Sequence, residues 1–166
     1  SIVDSKKVEK TFHARFSAIK RQYIYKIICQ NPPLALERNR FWHLRHQVEI
    51  EKMEEGSRFL IGKHDFTTFR STLCQAKSPI KSIDKIEISR VDSFIGPSIN
   101  IKFEARSFLH NQIRSIVGTL VKVGALNWPP DRVKLALISK NRSKCGPVAP
   151  PFGLYLTKID YEKNIF

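Results

Sequence analysis

Leu109, Ile113, Ile116, Val117 and Leu120 recur at i, i+4, i+7, i+8 and i+11, one continuous apolar stripe on a helix predicted from about Phe108 to Val123. Gly124 supplies its C-terminal stop. A stripe of that length has to be buried against a second layer, and the rest of the chain offers a sheet to receive it. Tyr23-Ile24-Tyr25-Lys26-Ile27-Ile28 reads as a strand. Ser98 to Glu104 sets Ile99, Ile101 and Phe103 against polar neighbours with period two, the pattern of a half-buried strand. Strands and helices mix without strict alternation. The expected class is therefore α+β: a mixed, largely antiparallel sheet with helices packed on one face, rather than a doubly wound fold.

The remaining elements follow from local signals. Asn31-Pro32-Pro33 breaks the first strand, and Phe41 to Val48 is a candidate for another. Met53, Phe59 and Leu60 lie on a helix predicted from about Glu51 to Ile61, ended by Gly62. Lys63 to Arg70 reads as a polar-aromatic loop in which His64, Phe66 and Phe69 act as braces. Ile80, Ile83, Ile86 and Ile88 ahead of Gly96-Pro97 form a strand-turn-strand pattern. Trp128-Pro129-Pro130-Asp131 opens a further helix with Val133, Ala136 and Leu137 inward. Asn141 to Pro151 is an irregular loop, and Leu154-Tyr155-Leu156 leads a last strand ending near Tyr161.

Composition narrows the partners. Twenty-nine Lys and Arg against fifteen Asp and Glu give a net charge of +14 in 166 residues. Residues 1–48 alone hold ten basic and three acidic side chains, a local excess of +7. Such an excess suits a polyanion, since each neutralised phosphate releases condensed counterions. Nucleic acid is favoured over anionic lipid because no basic amphipathic helix stands out. No apolar run approaches the roughly 20 residues of a membrane helix, so no membrane partner is expected. Cys29, Cys74 and Cys145 are odd in number and far apart, and no Cys/His cluster has metal-ligand spacing. They read as reduced thiols of a cytoplasmic protein rather than metal ligands.

Four segments, in order, carry a resemblance. Phe12-His13-Ala14-Arg15-Phe16-Ser17-Ala18 runs into Arg21-Gln22-Tyr23-Ile24-Tyr25, and His64-Asp65-Phe66-Thr67-Thr68-Phe69-Arg70 follows. Then come Phe108-Leu109-His110-Asn111-Gln112-Ile113-Arg114 with Ile116-Val117-Gly118-Thr119-Leu120, and finally Ala149-Pro150-Pro151-Phe152-Gly153-Leu154-Tyr155-Leu156. Together they resemble the TruA-type tRNA pseudouridine synthases across nearly the whole chain. The family's Gly-Arg-Thr-Asp type loop, which holds the catalytic Asp upstream of the Phe-His-Ala-Arg segment, has no counterpart here. None of the aspartates at 4, 65, 84, 92, 131 and 160 has its flanks. Residues 1–166 are accordingly expected to be the C-terminal portion of the catalytic domain, without the part that carries that Asp.

The resemblance implies an isomerase that cleaves the uridine N-glycosidic bond, turns the base and rejoins it through carbon, without cofactor. It implies action at positions 38–40 of the tRNA anticodon stem-loop by a homodimer. Carried over by motif, Arg114 is the ion-pair partner of the carboxylate, Tyr23 the aromatic stacking on the target base, and Leu154 the apolar residue beneath it. The residue patterns themselves are less selective. Arg114 lies about 100° round the helix from Ile113, a place where an arginine also simply snorkels to water. Tyr23 shares a strand face with Arg21 and Tyr25, as core tyrosines also do. Leu154 reads as core. Gly118 within a helix costs roughly 0.8–1 kcal/mol relative to Ala, and points to close approach of another backbone. Arg15, Lys20, Arg21, Arg70, Lys77 and Lys81 are the candidate RNA contacts. Gln22 stands where the family often has Arg, and Cys145 where a small residue is usual. The chain alone is expected to be inactive. The alternative is a non-catalytic RNA-binding module that has lost the carboxylate.

Overall fold

A computed structural model describes residues 2–35, 37–93 and 96–162. Its organising element is β1, Ala18–Cys29, twelve residues of which half are β-branched or aromatic. β1 uses both of its edges. On one it pairs antiparallel with β6, Gly96–Ala105, from Arg21 opposite Ala105 to Ile28 opposite Ser98. On the other it pairs antiparallel with β7, Leu154–Tyr161, and at its far end parallel with the short β2, Trp42–Leu44. β5, Lys85–Ser93, closes the sheet by pairing antiparallel with β6.

Period-two alternation decides which side is dry. Tyr25 and Ile27 of β1, Ile99, Ile101 and Phe103 of β6, and Ile86 and Ile88 of β5 point the same way and are buried. Onto them pack α1, Ile50–Arg58, α2, Gln112–Gly124, and α3, Asp131–Ser139, through Met53, the stripe Ile113–Ile116–Val117–Leu120, and Val133, Ala136 and Leu137. Each buried Ile, Val, Leu or Met among them contributes about 1.5–3 kcal/mol. The opposite face is polar, with ion pairs Lys20–Glu104, Lys85–Glu87 and Lys158–Asp160 at 3.5, 2.8 and 2.8 Å. The fold is α+β with helices on one face, as the two periodicities predict.

Several boundaries differ from the sequence expectation, each for a local reason. Lys63 to Arg70 is not a loop. Gly62–Asp65 forms β3, antiparallel to β4, Ile80–Ile83, as a separate two-stranded sheet, and Thr67–Phe69 makes a 3₁₀ turn. Asp65 organises that turn by accepting from the Thr67 amide at 2.9 Å and its hydroxyl at 2.6 Å. Phe66 and Phe69 are fully buried braces, as expected. The strand anticipated over Phe41 to Val48 shrinks to Trp42–Leu44. α1 ends at Arg58 in a tight turn, with Leu60 N–H to Ser57 O at 3.0 Å. Finally, α2 begins at Gln112 rather than Phe108, because Asn111 takes a left-handed backbone, φ 60° and ψ 8°. Phe94 and Ile95, between β5 and β6 in sequence, lie outside the described residues.

Among the described residues, no helix is long and apolar enough to cross a membrane.

Candidate active site

The first turn of α2 and the middle of β1 are joined through the loop that precedes β7, to which both are hydrogen-bonded. That loop is drawn in by two glycines. A Cβ on Gly118 would stand 1.7 Å from the Pro147 carbonyl oxygen, so α2 and the loop touch backbone to backbone. This is the close approach that a helical glycine predicts. A Cβ on Gly153 would stand 2.4 Å from the Lys26 carbonyl oxygen, so only glycine lets the chain enter β7 flush against β1.

Successive carbonyls of this loop hold the two strongest polar groups of the region. Ala149 O accepts from Arg114 Nε at 2.6 Å, and the Ala149 amide donates to Arg114 O at 3.0 Å. Pro150 O accepts from the Tyr25 hydroxyl at 2.6 Å. Burial pushes the Tyr25 phenol well up from its ordinary value, and the nearby Arg114 charge opposes this without reversing it. Tyr25 is therefore a neutral donor at any working pH. A second anchor for the guanidinium comes from Asn111, whose Oδ1 accepts from Arg114 Nη1 at 3.0 Å. Arg114 is half-buried. Both of these anchors are neutral oxygens, and among the described residues no carboxylate lies within ion-pair distance of it.

Tyr23 and Leu154 border the same stretch. Tyr23 shares the helix-facing side of β1 with Tyr25, is half-buried, and meets Phe108 edge-on at 5.4 Å and 89°. Leu154 sits directly opposite Tyr25 in the β1–β7 ladder and is also half-buried. Tyr23, Arg114 and Leu154 thus gather on one face, around Tyr25. Phe108, Asn111, Tyr25 and the 149–150 carbonyls were not singled out from the sequence. Only Asn111 had a usable signal there, a residue tolerant of left-handed backbone just ahead of a helix.

The six basic residues divide by location. Arg70, Lys77 and Lys81 belong to the segment from the 3₁₀ turn to β4, which touches the start of α2 through Ser71 N–H to His110 O at 3.0 Å. Cys74 lies in that segment. Burial pushes its thiol up, but amides of Ala76 and His110 and the cations Arg70 and Lys81 outweigh this and leave it below its ordinary value. Arg15 is exposed ahead of β1. Arg21 folds its guanidinium back onto the carbonyls of Arg106 and Arg15. Lys20 lies on the opposite, polar face, paired with Glu104. Beside the N-terminal end of β1, Lys6, Phe12, Ile19, Arg106 and Tyr161 help line a cavity of about 490 Å³, and Tyr23, Arg114 and Leu154 take no part in it. Among the described residues no group of His, Cys, Asp and Glu side chains could hold a metal ion.

The sequence matches one family of known proteins. A family model described as tRNA pseudouridine synthase matches residues 57–162. The tRNA pseudouridine synthase A of Paracoccus denitrificans (strain Pd 1222) is 48% identical over 166 residues, which is 100% of this chain and 64% of the relative. That of Ruegeria sp. (strain TM1040) is 45% identical with the same coverage. That of Parvibaculum lavamentivorans is 49% identical over 162 residues, 98% of this chain and 64% of the relative. The chain therefore spans about 64% of the length of these curated relatives. The family match covers more than half of the chain and includes α2 with Arg114 and β7 with Leu154, so the chain belongs to the tRNA pseudouridine synthase family.

Proposed function

We propose that this chain is the C-terminal portion of the catalytic domain of a tRNA pseudouridine synthase that isomerises uridine at positions 38–40 of the anticodon stem-loop. The observation that carries the reading is the state of Arg114. It is a half-buried guanidinium fixed by two neutral oxygens and left without a carboxylate partner among the described residues. A cation held this way lowers the pKa of a carboxylate placed within about 4–6 Å by about 1–3 units. An Asp supplied by the remainder of the natural protein stays ionised there to attack the sugar. Tyr23, steadied edge-on by Phe108, stacks on the base, and Leu154 packs beneath it. The uridine leaves its stack at a cost of about a few kcal/mol, least in a loop.

Net charge +14 supplies the attraction for tRNA. Of the basic candidates, Arg70, Lys77 and Lys81 lie on the segment that touches the residue before Asn111, and these with the exposed Arg15 are the candidates to meet backbone phosphates. Arg21, with its donors committed to carbonyls, and Lys20, on the far face, have weaker claims. The natural protein works in the cytoplasm as a homodimer, and this chain alone does not turn over. The second reading is an RNA-binding module without catalysis.

The test incubates this chain and the natural full-length protein separately with tRNA labelled with tritium at uridine C5. Tritium release by the full-length protein alone is expected. Release by this chain alone overturns its inactivity. A full-length protein that binds the tRNA without releasing tritium favours the module.

A further inference from the structure

Asn111 stands immediately before the first residue of α2, where an Asn ordinarily caps the helix by accepting from the backbone N–H two or three residues on. It does neither part of that task. Its backbone is left-handed rather than extended, and its side chain makes no cap hydrogen bond. Three residues on is Arg114, whose amide would be the natural partner. The Asn111 oxygen bypasses that amide and accepts instead from the Arg114 guanidinium at 3.0 Å. Helix entry is organised by other groups: Gln112 N–H reaches Leu109 O at 3.1 Å, and Gln112 Oε1 accepts from Leu109 N–H at 2.8 Å. A left-handed non-glycine residue with its cap oxygen diverted is a local conflict of the kind that gathers at working sites.

We infer that Asn111 is a positioning residue, which holds the guanidinium of Arg114 at the orientation that meets the catalytic carboxylate. This rests on the proposed synthase reading. Two requirements converge on asparagine. The left-handed region is most readily taken by Gly, Asn and Asp, though Leu126 and Lys140 take it elsewhere in this chain. The guanidinium needs an acceptor that is itself uncharged, since a resident anion would compete with the catalytic carboxylate for the same cation. Gly fails the second requirement by lacking an oxygen, Asp by its charge. With Ala149 O holding Nε at 2.6 Å and Asn111 Oδ1 holding Nη1, the planar fork is pinned at two points. The catalytic carboxylate then finds it in place, without an ordering step during turnover.

The experiment uses the natural full-length protein, its Asn111→Gly and Asn111→Asp variants, and tritium release from C5-labelled tRNA. Asn111→Gly keeps the backbone and removes the acceptor. It is expected to lower kcat roughly ten- to hundredfold, with KM within about threefold and a melting temperature within a few degrees of wild type. Asn111→Asp keeps an oxygen in place and is expected to lower kcat as well, because it pairs Arg114 internally. Wild-type kcat in Asn111→Gly overturns the inference. So does a loss that comes as a raised KM with a matching fall in melting temperature, which marks a structural role only. A wild-type protein that releases no tritium overturns the synthase reading itself, so the two failures are distinguishable.

Discussion

Replacing Gly118 by Ala sets two known effects against each other, and the structure decides which wins. Within an exposed helix the change is favourable by about 0.8–1 kcal/mol. Here the new Cβ would lie 1.7 Å from Pro147 O, 2.9 Å from Pro147 C and 3.3 Å from Ala149 N. These are backbone atoms, which cannot swing aside as a long side chain does, so the loop has to retreat from α2. Overpacking of this sort costs about 1–3 kcal/mol. The retreat also loosens the two hydrogen bonds between Ala149 and Arg114, at 2.6 and 3.0 Å, each contributing about 0.5–1.5 kcal/mol net. Subtracting the propensity gain leaves a destabilisation of about 1–5 kcal/mol. For a chain of this size, at about 2–4 °C per kcal/mol, the melting temperature falls by about 2–20 °C. Circular dichroism melts and urea titrations of wild type and Gly118→Ala measure it directly. A variant that melts at or above wild type would refute the reasoning, since it would mean that helix propensity prevails and that the loop does not press on α2.

Three further outcomes follow from single contacts. Tyr25→Phe removes the donor to Pro150 O and leaves that acceptor unpaired; it is expected to cost about 1–3 kcal/mol in urea titration, and a neutral result would mean that the bond contributes nothing. Hydrogen bonds from Thr67 hold the Asp65 carboxyl below its ordinary value, with burial opposing and Lys140 assisting. A depressed carboxyl contributes stability that is present above its unfolded pKa of about 4 and lost as pH falls through the folded value. Thr67→Val is therefore expected to cost about 1–2 kcal/mol at pH 7 and progressively less below about pH 4, and an equal cost at both ends counts against it. Arg114→Lys in the natural full-length protein gives up the planar fork that Asn111 and Ala149 hold. Tritium release is expected to fall at least about a hundredfold while tRNA binding, by filter retention, stays within about threefold; retained turnover would remove Arg114 from the site.

Much of the architecture was legible because it is written in short repeats. The α2 stripe, the alternation in β6 and the inward Val133, Ala136 and Leu137 depend only on the 3.6 and 2.0 periodicities of the backbone, and all are buried where those periods put them. The misses fall where no period exists. β3 is four residues of Gly, Lys, His and Asp, which become a strand only because Ile80–Ile83 arrives beside them. Asn111 shortens α2 by a backbone angle that no hydrophobic pattern encodes.

The same division runs through the candidate site. The order of the four motifs, the basic excess and the glycine at 118 are properties of the chain itself, and they determined the family resemblance, the polyanionic partner it would take and the point where two backbones meet. Tertiary structure alone decided which groups are free to act. Arg21 turns back on the carbonyls of Arg106 and Arg15, Lys20 is spent on Glu104 across the far face, and Arg114 is held by oxygens 3 and 35 residues away. A side chain's character is local, but its hydrogen-bond partners are set by where the folded chain closes on itself, and that closure is what turns a helical arginine into an oriented cation.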